Sequence, residues 1–406
     1  MSVNFIDYID VISGGTPSTN NKEYWNGDIP WLSIDDFKEA NYYVYSTKKF
    51  ITKLGLDNSS TNLLHKNDII ISARGTVGKI ALIYKDMAFN QSCFGLRIKK
   101  SKNKELNPIF LFYYLKTNLK YLLKVKHDSI FDTINLETFK YIKLNLPDRK
   151  TQDKIVETLS NIDNQIERNN TMVKRLQDLA TSTYSRWFNQ FEFPNEDGLP
   201  YKSNNGKFVY SEKLKRNIPI GWEVKELLDL IEWKSSSQPP KSDFIDEYKK
   251  GYIRFIQNRD YDADNHITYI PLTQNTKTCT KYDIMIDKYG DAGKTRYGLE
   301  GAFNVALAKI EPKCVNQQEF IRKYIEQECI YVYLNNACIA STRASLNELV
   351  FKGLKIVVPT NKILKDFEII MKNIINQILD IANNTNELNN LKSKLLPLLI
   401  NGQLEV

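Results

Sequence analysis

Asn67–Ile83 reads NDIIISARGTVGKIALI, and Tyr282–Gly298 reads YDIMIDKYGDAGKTRYG. Asp68, Ile69, Ile71, Gly75, Gly78 and Lys79 recur as Asp283, Ile284, Ile286, Gly290, Gly293 and Lys294, each 215 positions later. Further along, TINLETFKYIKLNLP (Thr133–Pro147) is answered by SLNELVFKGLKIVVP (Ser345–Pro359), so that Asn135, Phe139, Lys140, Lys143 and Pro147 return 212 positions on. Two collinear matches at nearly one offset mean a duplicated unit of about 200 residues, and a repeat fixes architecture before any local reading does. In each copy a globular part ends at the proline and a long segment of helical periodicity follows.

The second copy invites a different reading. DKYGDAGKT (Asp287–Thr295) ends like the phosphate loop G-x-x-x-x-G-K-[ST], but Lys288 stands where the first glycine is required. Its twin, SARGTVGKI (Ser72–Ile80), puts Ile80 where Thr295 would hold a magnesium ion. Both copies share a strand, a turn needing glycine twice, and a projecting lysine. That describes a hairpin turn able to approach a DNA backbone.

After Pro147, apolar residues fall at Ile155, Leu159, Ile162, Ile166, Val173 and Leu176, extended by Ala180 and Trp187. After Pro359 they fall at Phe367, Ile370, Ile374, Ile381, Leu388, Leu391, Leu395 and Leu398. Spacings of three and four are those of a coiled-coil seam, and Asn169, Gln377 and Asn384 are polar breaks that would fix its register. Each helix, at roughly 40 residues, would run about 60 Å. A lone stripe of that length would be exposed, so the two helices are expected to pack on each other, with cover for their own domains as the alternative.

The globular parts read as α/β. NDIIIS, KIALIY and CFGLRI are short β-type runs, and NPIFLFYYLKTNLKYLLKV has helical length with Asn107-Pro108 at its start. The second copy offers YDIMI, FNVALAKI and a helix from about Gln317 to Asn335. FPNEDGLPYKSNNGKF (Phe193–Phe208) reads as a linker or surface loop. GWEVKELLDLIEWKSSSQPPKSDF then repeats the role of the opening NFIDYIDVISGGTPSTNNKEYW.

With 406 residues, 42% hydrophobic and 26% charged, the chain has the composition of a soluble protein of two or more domains. It holds no run of eighteen apolar residues, and MSVNFIDYID is not a signal sequence, so no membrane partner is expected. Five scattered cysteines without a C-x-x-C pair fit free thiols in a reducing cytoplasm, and three distant histidines offer no metal cluster. The net charge of +8 is concentrated in residues 1–150, with 22 Lys and Arg against 15 Asp and Glu. Arg97 to Lys126 carries nine basic residues and one acid, Glu105. Such a patch suits nucleic acid, with a solvated lysine-rich helix face as the bland alternative.

SGGTPSTNNKEYWNGDIPWLSIDDF (Ser13–Phe37), DIIISARGTVGKIALI, the helix after Pro147 and the closing LKSKLLPLLINGQLEV (Leu391–Val406) resemble the specificity subunit of a type I restriction–modification system. The likeness covers nearly the whole chain. It is weaker in the second half, where KSSSQPPKSDF lacks GGTP and Tyr289 replaces Arg74. The resemblance implies tandem α/β target-recognition domains separated by two long antiparallel coiled-coil helices. The segments would be 1–150 and 192–360 for the domains, and 151–191 and 361–406 for the helices. Each domain would read one half of a split, asymmetric site in double-stranded DNA, and the helices would set the gap. Two modification (methyltransferase) subunits would dock on them, bringing S-adenosylmethionine for adenine N6 methylation, and two motor-nuclease subunits with ATP and magnesium would join for restriction.

A duplicated binder on a rigid spacer is, independently, the logic of reading two half-sites. Groove readers need polar, basic and aromatic side chains on exposed turns. The candidates are Thr16, Ser18, Lys22 and Tyr24; Ser72, Arg74 and Lys79; Lys99, Lys100, Lys102 and Lys104; and, in the second copy, Asn258, Arg259, Tyr261, Lys288, Tyr289 and Lys294. No D/N-P-P-Y/F motif, paired carboxylates beside a lysine, or intact Walker motif is present, so the chain is expected to direct catalysis without performing it or binding a cofactor. A nucleotide-dependent enzyme using Gly290–Lys294 and a coiled-coil adaptor binding only protein are the rival readings.

Overall fold

The computed structural model describes residues 2–37, 42–74, 77–124, 134–262, 266–339 and 345–405. Gly75, Lys126, His127 and Thr133 lie outside them. Two compact units form: Met1–Asn170 with Asn384–Val406, and Thr171–Asn383. Each therefore holds one globular half, the start of the long helix that follows it, and the end of the other long helix.

The repeat survives at the level of strand order. In the first unit the main sheet runs Ile9–Ser13, Cys93–Ile98, Ile69–Ser72, Ile80–Ile83, Tyr43–Val44; in the second it runs Ile231–Ser235, Leu307–Pro312, Ile284–Asp287, Thr295–Arg296. The Tyr43–Val44 edge strand thus belongs to the first unit. A second sheet of four strands also recurs: Lys49–Ile51, Trp25–Leu32, Met87–Phe89, Leu63–Leu64 against Tyr269–Pro271, Tyr252–Ile256, Gly301–Phe303, Thr278–Cys279. In both, the central pair is parallel and the outer pairs antiparallel. The strands predicted from β-type runs lie where expected because those runs are almost wholly apolar: Ile69–Ser72, Ile80–Ile83 and Ile284–Asp287 are buried throughout.

Pro108–Lys124 forms the predicted helix, with the Asn107 carboxamide oxygen accepting from the N–H groups of Ile109 (2.8 Å) and Phe110 (3.3 Å). Its counterpart is broken into Gln318–Ile325 and Glu328–Ile339, where one continuous helix was expected. The Gln327 side chain donates to the Tyr324 carbonyl (3.1 Å), the acceptor a continuing helix would give to Glu328. FPNEDGLPYKSNNGKF is no bare linker either. Phe193 is buried and stacks on Tyr201 at 4.5 Å, so aromatic burial draws this stretch into the second unit's core.

The long helices span Arg149–Tyr184, prolonged by a π turn at Ser185–Asn189, and Asn361–Ile400. Asp148 caps the first, accepting from Thr151 N (2.8 Å), and this bond lowers the carboxyl pKa. Within the first unit the helices run antiparallel: Asp163 pairs with Lys392, and further along Asn169 donates to Asn384 (2.9 Å) and Thr385 (3.1 Å). Two of the three polar breaks therefore partner each other, as register-setting residues should. Gln377, the third, is exposed.

The helices pack both on each other and on their own globular halves, so the two packing expectations both hold. In the first unit Ile155, Leu159, Leu399 and Ile400 share a core with Phe110 to Tyr113. In the second, Tyr184, Trp187 and Phe188 pack on Phe367, while Tyr184 and Phe188 also meet Phe320. Each such aromatic, fully buried, contributes about 2–3 kcal/mol of transfer free energy. This double contact widens the apolar stripe of the second helix, which buries Ile363, Leu364, Phe367, Met371, Ile374, Ile375, Ile378 and Leu379. Ile370, Leu391 and Leu398, expected in the seam, are exposed instead. Ile162, Val173, Ile381, Leu388 and Leu395 are half-buried, and Ile166, Leu176 and Ala180 buried.

Candidate nucleic-acid interface

Register fixes where the candidate loops meet. Cys93, the first residue of its strand, lies opposite Ser72, and Phe94 lies opposite Ser13, the last residue of another. The opening loop after Ser13, the hairpin after Ser72 and the turn before Cys93 therefore emerge at one end of the sheet. Backbone bonds join them: Gly15 N to Phe89 O (2.9 Å) and Ala73 N to Ser92 O (2.8 Å). The Thr16 hydroxyl donates to the Gln91 carboxamide oxygen. Gly14 and Gly15 are required by this closeness, since a Cβ on either would collide with the Asn90 carbonyl or with Ser60. Trp31 and Trp25 donate to the carbonyls of Gly15 and Ser18 (both 3.1 Å), and Lys49 lies 5.9 Å from both rings.

Of the residues singled out here, Ser18, Lys22, Arg74 and Lys79 are exposed, whereas Thr16 and Tyr24 are half-buried. Ser72 is wholly buried, and its hydroxyl accepts from Lys79 N (2.9 Å). Its side chain is spent on holding the hairpin.

The second unit assembles the same end from different side chains. Asn258–Tyr261 follows the strand Tyr252–Ile256, and Lys288 N donates to Ala306 O (2.8 Å) as Ala73 does to Ser92. Gly290 and Gly293 adopt φ of +73° and +94°, and Gly78, the counterpart of Gly293, +84°, which only glycine takes without strain. Arg296 crosses the site, bonded to Asp287 (2.9 and 3.1 Å) and Asp262 (2.7 Å). Lys294 reaches Asp291 (3.4 Å) and approaches Asp262 (4.0 Å). Burial pushes the Asp287 carboxyl up to about 6 despite Arg296, while the Arg296 hydrogen bond lowers that of Asp262. Arg259 and Tyr289 are exposed, and Lys288 and Asn258 half-buried. Tyr261 supports the site from within: its ring lies 5.8 Å from the Arg296 guanidinium and its hydroxyl is buried.

Lys99 to Lys104 sit elsewhere, beyond Ile98 at the far end of the strand, roughly 17 Å away at 3.4 Å per residue. Lys99 donates to Ile6 O (2.6 Å), closing the helix Phe5–Tyr8, and Lys313 does the same for Leu227–Leu230 through Asp229 O (3.0 Å). Lys102 pairs with Glu105 (2.9 Å) over the Tyr8 ring. Lys100 and Lys104 are exposed. The single basic patch expected over Arg97–Lys126 is thus divided: Arg97 is tied to Asp68 (2.6 Å), and burial with the nearby Lys392 charge lowers Lys116 to about 8.

Sequence reading passed over the turn Asn90–Ser92 and its counterpart Asn304–Ala306, as well as Arg296; Asp262 closes the stretch NRDYD (Asn258–Asp262) that it did single out. The repeated dipeptide Phe89-Asn90 and Phe303-Asn304, 214 apart, was the available signal. Geometry also disposes of the phosphate loop. A nucleotide cradle needs a helix after its lysine, whereas Lys294 is followed by the strand Thr295–Arg296.

Comparison with known proteins matches the family described as "Type I restriction modification DNA specificity domain" twice, over residues 3–177 and 219–396. The MjaIX specificity subunit of a type I restriction enzyme from Methanocaldococcus jannaschii is 26% identical, covering 98% of this chain and 92% of that one. The EcoprrI specificity subunit from Escherichia coli is 32% identical over 136 residues, 33% of each chain. A crystal structure of a type I S subunit from M. genitalium shares the fold with a TM-score of 0.62 at 16% identity, covering 98% of this chain and 95% of that one.

Proposed function

The chain belongs to the type I restriction–modification DNA specificity family, and from that premise we propose that each unit reads one half of a split DNA site through its three-loop cluster. The family is non-catalytic, and the chain serves as the DNA-recognition subunit of a restriction–modification complex. The observation that carries the half-site reading is the hairpin joined to the turn before Cys93 or Leu307, built twice on the same backbone bonds with different side chains facing solvent. A fixed frame with variable contacts is what direct readout of two unlike sequences needs.

The long helices set the unread gap, and two modification subunits dock along them and the adjacent domain surfaces. In support, Met172, Leu179, Ile369, Ile370 and Leu391 are apolar, exposed and outside the buried stripe. Those subunits carry S-adenosylmethionine and methylate adenine N6, while two motor-nuclease subunits bring ATP and magnesium; this chain binds no cofactor of its own. Such a complex works in the cytoplasm, beside its DNA. No helix among the described residues is long and apolar enough to cross a membrane.

Selection of a random duplex library by the chain assembled with its modification subunits tests this reading. The expected product is one motif of two defined halves around a fixed gap, with affinity falling steeply as salt rises. Enrichment of no motif, or of one uninterrupted block, would refute it and favour an adaptor that binds only protein.

A further inference from the structure

Resting on the reading that the loop clusters face DNA, we propose that the middle residue of the turn before Cys93 and Leu307 is a base-reading position. Gln91 reads an adenine edge in the first half-site, and Val305 packs on a thymine methyl in the second.

The turn is held identically in both units. Asn90 N donates to Leu32 O (3.0 Å), Cys93 N to Asn90 O (3.3 Å), and Ser92 N to the Asn90 carboxamide oxygen (3.2 Å). Asn304 N donates to Ile256 O (3.0 Å), Leu307 N to Asn304 O (3.2 Å), and Ala306 N to the Asn304 carboxamide oxygen (3.1 Å). Ala73 and Lys288 close the far side on Ser92 O and Ala306 O (both 2.8 Å). The flanking asparagine is the same in both copies because the frame uses its side chain. The middle position contributes no side chain to any of these bonds, and there the copies differ in kind, an amide against an isopropyl group.

Gln91 is exposed at the centre of the cluster, between the opening loop and the hairpin. Its Oε1 accepts from Thr16, which fixes the plane of the amide, and among the described residues none takes its Nε2. A carboxamide presents an acceptor and a donor side by side, the complement of adenine N6 and N7 in the major groove. Holding that amide in one orientation before binding reduces the ordering cost. Val305 has no hydrogen-bonding group, and its methyls suit the thymine C5 methyl, the apolar feature of the same groove.

Three variants in the assembled complex, selected on a random duplex library, test this. Gln91→Glu keeps the acceptor for Thr16 but loses the Nε2 donor, Gln91→Val installs the residue of the other copy, and Val305→Gln makes the reverse change. Each Gln91 variant should lose discrimination about tenfold or more at one A·T pair of one half-site, and Val305→Gln should alter one position of the other half. Gap length and affinity for random duplex should stay as in the parent. Retention of the parent motif by both Gln91 variants overturns the proposal while leaving DNA reading intact. So does blurring of a whole half-site, which would make the turn a support for the loop. Absence of any split motif with the parent complex would instead bring down the reading beneath it.

Discussion

Ser72 in the first unit and Asp287 in the second end the same strand, and each closes its hairpin through one pair of backbone bonds. These are Ser72 N to Lys79 O (2.9 Å) with Gly78 N to Ser72 O (3.0 Å), and Asp287 N to Lys294 O (3.0 Å) with Gly293 N to Asp287 O (2.9 Å). The side chains diverge completely. The Ser72 hydroxyl turns back to the hairpin, whereas the Asp287 carboxylate reaches Arg296 and, through it, Asp262. The opening loops differ in the backbone contact as well. Gly14 and Gly15 clamp the first one onto the Asn90 turn, while a cavity of about 150 Å³ lies beneath Ser236, Ser237 and Pro239 in the second. In the hairpin and the asparagine turn, backbone bonds were kept through the duplication and side chains rebuilt around them, so the exposed surface could change without altering the strand frame.

The largest expected effect separates Asp287 from Ser72. Asp287→Ala leaves Arg296 buried beside a single exposed partner and should cost about 3–5 kcal/mol, against about 1 kcal/mol for Ser72→Ala. Urea unfolding measures both, and equal losses would break the comparison. A pH dependence follows from the same residue. The Asp287 carboxyl is raised to about 6, above its unfolded value, so the folded state binds the proton more readily. Its contribution to stability therefore grows as pH falls from about 6 towards 4, and Asp287→Asn should flatten that part of the profile. Glu368, also raised to about 6 by burial, adds a background of the same sign that the variant leaves in place.

Next comes the opening loop. Gly14→Ala places a methyl against the Asn90 carbonyl and should cost about 1–3 kcal/mol while degrading one half-site, whereas Ser236→Ala should stay within about 0.5 kcal/mol. Thermal unfolding with a binding assay would sharpen the contrast, and a harmless Gly14→Ala would show that the clamp is dispensable. The smallest effect is on the lysines. Lys99→Ala should lose about 0.5–1 kcal/mol of helix-end stabilisation with unchanged DNA affinity. Replacing Lys100 and Lys104 together should leave stability intact and, if they meet phosphates, lower the salt slope by one or two. The reverse pattern would return Lys99 to the DNA.

Much of this frame was legible in the chain. Ile69 and Gly78 matched Ile284 and Gly293 because burial and a positive φ demand those residue types there, and Asp68 matched Asp283 because each accepts from a backbone N–H three residues before it. The pairing of Asn169 with Asn384 was prefigured by two polar residues in apolar stripes. What failed needed long-range geometry. Lys99 finds its carbonyl at Ile6, 93 positions away, and no local pattern announces that bond. Ser72 borders a glycine turn and looked exposed, but it is the last inward residue of a strand. Ile370 and Leu391 kept heptad spacing, yet the helix meets two surfaces and its buried stripe shifted accordingly.

The central claim, that each unit reads its own half of a split site, is tested most directly by a loop exchange. Replacing Ala73–Lys79 and Asn90–Ser92 with the corresponding loops of another family member, followed by methylome sequencing of cells carrying the complex, reports both half-sites together. The account predicts one altered half-site, with the other half and the gap unchanged. Simultaneous change in both halves, or a methylated motif identical to the parent, would contradict it.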